Sequence, residues 1–189
     1  MTPEPGPAGA RFASADEARQ HLEDGGFACV ATESGWLAVC LVGSARRGEL
    51  ATYGALGVAF ASWGEARLFV EAGAGAAGLA ERHLPGPLVL HLEESAPGFL
   101  APVGEGVRVH VPEAKVAHEL AGELGPLACV AVQADDAGHA LAILASLACV
   151  VVPGTAGTAA ATEVDARGGR PVVVREGVIA KAQVESAWC

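Results

Sequence analysis

The sequence predicts an α/β fold, an open, twisted, mixed sheet flanked by helices, and three observations carry this prediction. Short apolar runs rich in Val, Leu and Cys alternate along the chain with segments whose apolar residues recur at helical spacing. Clusters of Gly, Pro and Asp stand between them. The 189 residues are 51% apolar and 18% charged, a composition that packs as one globule and lies far from that of disordered chains.

The elements follow in order. MTPEPGPAGA has the composition of a Pro/Gly tail, so residues 1–13 are assigned to a flexible tail and 14–189 to a single domain. Ser14 and Glu17 form a capping-box pattern, and Gly25-Gly26 ends the short helix that follows. Phe27–Ala31 and Trp36–Val42 are expected as strands. Residues 43–56 have no clear period and are read as loop with one helical turn. Gly57–Ala61 is expected as a strand, with Ser62 as the N-cap of a helix over Trp63–Ala72. A further helix over residues 76–84 is stopped by Pro85-Gly86-Pro87. Leu88–Leu92, Val107–Val111, Leu127–Val132 and Cys149–Val152 are expected strands, with helices over Glu113–Leu124 and Ala137–Leu147 between them. Thr162–Asp165 and Pro171–Val174 read as two strands joined across Gly168-Gly169.

Charge and cysteine usage narrow the function. The net charge is −10 and the lysines are Lys115 and Lys181, so no basic stripe exists to neutralise phosphates and strong RNA binding is not expected. A small anionic ligand held by a few arginines remains compatible with this balance. The longest apolar stretch, Ala140–Val152, is too short for a membrane span and is interrupted by Ser146. No basic flank precedes an apolar leader, and a cytoplasmic setting is expected. The five cysteines include no CxxC pair, which argues against a zinc or redox motif. Cys29, Cys40, Cys129 and Cys149 are expected as reduced core thiols, and Cys189 as exposed. The sequence names no protein partner and no oligomeric state.

Two local motifs carry a chemical reading of their own. GAGAAG, residues 73–78, satisfies GxGxxG, follows the apolar Leu68-Phe69-Val70 and is followed about twenty residues on by Glu93. That is the spacing of a dinucleotide-binding fingerprint, although the helix behind it is short and Gly/Ala-rich chains produce such matches easily. Asp135-Asp136-Ala137-Gly138-His139 offers metal-type ligands, but adjacent acids at a helix start are more simply a cap in a favourable dipole. No metal site is assigned.

A third set of segments is spread along the chain. Gly25-Gly26-Phe27-Ala28-Cys29-Val30 leads into Ala31-Thr32-Glu33-Ser34-Gly35-Trp36. Leu84-Pro85-Gly86-Pro87-Leu88-Val89-Leu90 and Val107-Arg108-Val109-His110-Val111-Pro112 follow. Then come Gly125-Pro126-Leu127-Ala128, Ala161-Thr162-Glu163-Val164-Asp165 and Val174-Arg175-Glu176-Gly177. In this order, over residues 14–186, the segments resemble the YrdC family, the threonylcarbamoyl-AMP synthases of tRNA threonylcarbamoyladenosine modification. The resemblance implies a YrdC-like sheet and a cavity that in active members binds ATP with magnesium, L-threonine and bicarbonate and releases pyrophosphate. Carried over position by position, it makes Thr32, Glu33, Trp36, His110, Gln133, Thr162 and Arg175 the candidate ligand-binding residues, with no catalytic residue assigned.

The departures bear on the chemistry. The family's Lys-x-Arg motif falls in residues 43–62, which contain no lysine; Arg46 and Arg47 are the nearby cations. His110 takes the place of a strand arginine and lacks arginine's permanent charge; an alternative register keeps Arg108 there, pointing elsewhere. Ala131 and Gln133 replace a Ser-x-Asn pair, and Ala161 replaces the serine of the late Ser-Thr-Val-Val-Asp motif. Stabilising a departing pyrophosphate needs positive charge. Two classes of function stay open: a non-catalytic module that keeps a nucleotide- or carboxylate-binding pocket, or an active ATP-dependent threonylcarbamoyl-AMP synthase. A Rossmann-type protein using GAGAAG is a third, weaker reading.

Overall fold

The computed structural model describes residues 9–96, 98–100 and 106–188. Its strands are β1 (Arg11–Phe12), β2 (Ala28–Thr32), β3 (Gly35–Leu41), β4 (Gly57–Ala59), β5 (Val70–Glu71), β6 (Leu88–Glu94), β7 (Val107–His110), β8 (Leu127–Val132), β9 (Val150–Val151), β10 (Thr162–Asp165) and β11 (Val172–Arg175). The helices are α1 (Ala15–Glu23), α2 (Arg47–Leu50), α3 (Trp63–Ala66), α4 (Ala74–His83), α5 (Lys115–Leu124), α6 (Ala137–Ile143) and α7 (Lys181–Ala187). The sheet runs β1-β9-β2-β3-β8-β4-β7-β6-β10-β11, with β5 paired to the end of β6. Parallel pairs (β2 with β9, β4 with β7, β6 with β10) mix with antiparallel ones. This is the expected mixed α/β sheet.

The local signals explain most elements. Ser14 and Glu17 form a complete capping box at α1. The apolar run Leu127–Val132 becomes β8, buried along most of its length between β3 and β4. Ser62 caps α3 by accepting the Glu65 amide at 3.0 Å.

Several expectations are corrected. The helix expected over Trp63–Ala72 ends at Ala66, because tight turns at Leu68 and Phe69 release the chain and Val70 pairs with Glu94. The helix over Ala137–Leu147 breaks into α6 and a 3-10 turn, followed by Ala148 at φ 51°. Helix α7 had no expectation in its favour. The tail assignment is too long: Arg11–Phe12 pairs in parallel with β9. The remainder of that tail, residues 1–8, and the exposure expected for Cys189 lie outside the described residues.

GAGAAG is part of a helix packed on another helix. Gly73 is the N-cap of α4, and an added Cβ at Gly75 would meet the Trp188 ring at 2.4 Å. The strands flanking α4, β5 and β6, are antiparallel, whereas the dinucleotide fingerprint needs a parallel strand–helix–strand crossover. That reading is set aside. Asp136 is the N-cap of α6 and accepts the His139 amide at 2.8 Å. Among the described residues no group of acids, histidines or cysteines is placed to hold a metal.

The two faces of the sheet are covered unequally. One face packs Trp36, Val58, Leu90, Val109 and Val164 under residues of α2, α3, α4, α6 and α7. Among the described residues, the other packs Val30, Leu37, Val39, Ala59 and Cys129 under α1 and α5. On that second face β7, β6, β10 and β11 lie open, and a groove forms there. The four described cysteines are buried and free, as expected. No described helix is long and apolar enough to cross a membrane.

The crossing from β11 to α7 depends on a close backbone approach. A Cβ at Gly177 would lie 2.1 Å from the Ala160 carbonyl oxygen, whereas one at Gly73 meets nothing within 4 Å. Gly177→Ala is expected to destabilise the protein by about 1–3 kcal/mol through forced backbone displacement. Gly73→Ala should stay within about 0.5 kcal/mol of wild type. Urea unfolding of both variants checks the contrast; equal losses would contradict it.

Candidate functional site

Strand periodicity builds the groove. Successive side chains of a strand alternate between faces, so Arg108 and His110 of β7 share a face, as do Glu163 and Asp165 of β10. Val89 lies between His110 and Glu163, and Glu163 pairs in register with Arg175. Two adjoining hollows, of about 360 and 460 Å³, share Leu37, Val89, His110, Ala131, Gln133 and Arg175. The first adds Gly57, Arg108, Cys129 and Glu163; the second adds Thr32, Trp36 and the loop from Ala156 to Ala161. Volumes of this order suit a small ligand.

The structure brings three of the seven candidates, His110, Gln133 and Arg175, to this groove, with Thr32 and Trp36 at its margin. Arg175 is 45% exposed, and its nearest acid is Glu163 at 3.8 Å. It is not paired with Asp165, which instead holds Arg167 at 2.6 Å. Gln133 is exposed where β8 ends. Trp36 is buried, and its indole N–H has no partner among the described residues. The Thr32 hydroxyl donates to the Gly35 carbonyl at 2.9 Å and accepts the Ser34 amide at 3.3 Å, so it shapes the turn between β2 and β3.

Two candidates sit elsewhere. Thr162 is fully buried on the covered face. Its hydroxyl donates to the Ile179 carbonyl at 2.7 Å and accepts the amides of Gly177 and Ile179 at 3.0 and 2.9 Å. It joins β10 to the approach of α7 and offers nothing to the groove. Glu33 accepts from His110 Nε2 at 3.2 Å and from the amides of Glu113 and Ala114 at 3.1 and 3.2 Å. It ties the β2–β3 turn to β7 and to the start of α5, whose N-cap Ala114 has no side-chain oxygen. Burial raises its carboxyl pKa, but the hydrogen bond from His110 and the amide contacts outweigh this, and the net shift is downward.

The nearby arginines resolve as well. Arg46 pairs with Glu49 at 2.8 Å and lies over the Phe27 ring at 4.6 Å; Arg47 donates to the Val42 and Phe99 carbonyls. Neither lines the groove. Arg108 does, beside His110. The alternative that pointed Arg108 away is corrected: two residues apart on one strand, both side chains face the same way.

Sequence reasoning assigned no role to Glu163. Its side chain is 8% exposed, and its Oε1 accepts from His91 Nε2 at 2.6 Å and from Arg108 Nη2. The His91 hydrogen bond and the charges of Arg108 and Arg175 overcome burial and hold the carboxyl below its ordinary pKa. The signal was present in the sequence: TEVD alternates, and an acid within a strand, between Thr162 and Val164, needs a cationic partner when buried. Cys129 also borders the groove, but burial pushes its thiol up to about 12, which leaves it protonated and a poor nucleophile at neutral pH.

No family model matches the chain, and no curated protein matches it significantly in sequence. Solved structures match in fold. Escherichia coli YciO superposes with a TM-score of 0.79 at 18% identity, over 93% of this chain and 98% of its own. P. abyssi Sua5 complexed with L-threonine gives 0.78 at 20% identity, over 94% of this chain and 59% of its own. Full-length HypF, in a phosphate- and nucleotide-bound form, gives 0.67 at 14% identity, over 88% of this chain and 29% of its own. The chain thus spans nearly all of YciO and a smaller part of the other two. At these identities the likeness is one of architecture, and the chain has the YrdC-like fold of YciO and Sua5.

Proposed function

We propose that this domain is a diverged YrdC-like ligand-binding module whose open groove holds a small anionic ligand on Arg175, with ATP-dependent threonylcarbamoyl-AMP synthesis reduced or lost. The carrying observation is Arg175 itself. It stands at the end of β11, half-exposed, bordering both hollows, with no carboxylate of the described residues closer than 3.8 Å. A guanidinium presents a planar fork of donors matched to a carboxylate or phosphate group. The exposed Gln133 amide across the groove adds a neutral donor and acceptor.

The charge of the groove supports the loss of polyphosphate chemistry. The arginines lining it are Arg108 and Arg175. Both lysines lie on helices away from it, in exposed pairs with Glu119 and Glu185 at 3.7 Å. A departing pyrophosphate calls for more positive charge than this. Each missing charge-assisted contact to a buried anion costs about 1.5–3 kcal/mol. The L-threonine complex of Sua5 and the nucleotide-bound HypF place small ligands in proteins of this fold, and this reading keeps that use while dropping the chemistry.

Two measurements test the proposal. With ATP, magnesium, L-threonine and bicarbonate, pyrophosphate release is expected to stay well below the ~1 per second typical of slower enzymes; turnover at or above that rate would sink the loss of catalysis. A thermal-shift screen with ATP, AMP, threonine and bicarbonate then supplies an anion for calorimetry. Arg175→Ala should weaken its binding by about 1.5–3 kcal/mol, and Arg175→Lys should recover only part. Thr162→Val should instead lower stability by about 1–3 kcal/mol, with affinity unchanged. Equal affinities in wild type and both Arg175 variants would rule out the anchor.

A further inference from the structure

Strand β10 carries an acid into a region of the sheet that none of the described helices covers. Glu163 is nearly buried, and its two oxygens face different cations. Oε1 accepts from His91 and Arg108, while Oε2 points toward Arg175 at 3.8 Å, inside ion-pair range but too far for a hydrogen bond. Both groove-lining arginines therefore flank a single internal carboxylate. His91 is in register with Arg108 on β7 and with Asp165 on β10, and Arg108 Nε lies 3.1 Å from its Nε2. Arg108 is engaged on its protein side, and Arg175 keeps most of its donors for the open side of the groove.

An internal carboxylate between two guanidinium groups does what a bound anion would do. It neutralises one of them, and it repels any second negative group brought to the same place, more strongly as the site dries. We propose that Glu163 is the charge-selectivity residue of the groove: its carboxylate fills the position between Arg108 and Arg175 that a further anionic group of a ligand would take, so that the groove accepts a single monoanionic group on Arg175 and turns away pyrophosphate and triphosphates. This rests on the reading that Arg175 anchors an anion. It adds the ligand's charge class, and it makes the weak polyphosphate binding an active exclusion in addition to a shortage of cations. The other groove wall fits a ligand of low charge, because Leu37, Val89, Cys129 and Ala131 are apolar.

The test follows the Arg175 side-chain Nε–H resonance by NMR while propionate or pyrophosphate is added at constant ionic strength. Wild type is expected to bind propionate more tightly than pyrophosphate, despite the greater charge of the latter. Glu163→Gln, which keeps the shape, should raise the ratio of pyrophosphate to propionate affinity by about tenfold or more. Glu163→Val is the second variant and should shift the ratio the same way. An unchanged ratio in the folded variants would overturn the role of Glu163. So would a wild type that prefers pyrophosphate, a comparison that stands even if neither variant folds. If no anion moves the Arg175 resonance in any form of the protein, the anchor itself fails, and the selectivity proposal with it.

Discussion

The unequal covering of the sheet is the constraint on which the rest of this protein depends. Among the described residues, five helices pack on one face, and α1 and α5 pack on the other. Because strand side chains alternate, the central strands must be apolar wherever a helix lies and are free to be polar where none does. Arg108, His110, Glu163 and Arg175 occupy the free positions. Their strand neighbours Val109 and Val164 fill the core behind them. The groove is thus the unhelixed half of one face, and its polar residues are tolerated because solvent and one another satisfy them.

Within that half the protein is tied together by carboxylates that are nearly buried. Glu33 binds the β2–β3 turn to His110 and to the first amides of α5. Glu163 gathers His91, Arg108 and, more loosely, Arg175 across three strands. Removing one partner from such a cluster leaves a buried charge uncompensated, which costs far more than a surface pair is worth. The same groups therefore hold the groove in shape and set its charge. Thr162, one residue from Glu163, performs the structural half of that work on the opposite face, where its hydroxyl meets three backbone groups.

This arrangement separates what the fold shares with YciO and Sua5 from what this chain does with it. The arrangement of strands and helices belongs to the architecture. The electrostatics belong to individual side chains, and one acid on β10 is enough to alter them. Similarity of fold at 18–20% identity carries the course of the backbone but not the charge of a site, since function resides in the site and not in the scaffold.

Most of the fold was legible in the sequence because its signals are local. A capping box at Ser14, an apolar run at Leu127–Val132, and Gly or Pro between the runs each act within a few residues. Arg175 and Gln133 were legible as groove residues through the ordered resemblance, and the shared face of Arg108 and His110 could have been read from strand alternation alone. The rest depended on distance in the chain. Glu33 and Ala114 are joined across eighty-one residues, and Glu163 meets Arg108 across fifty-five. Whether Thr162 faced ligand or core turned on a loop seventeen residues away. The sequence by itself determined which segments become strands and helices and which residue types lie on each strand face. Only the tertiary structure decided which face stayed open and which cation each acid neutralised, because strand order and helix placement bring together groups that no local pattern relates.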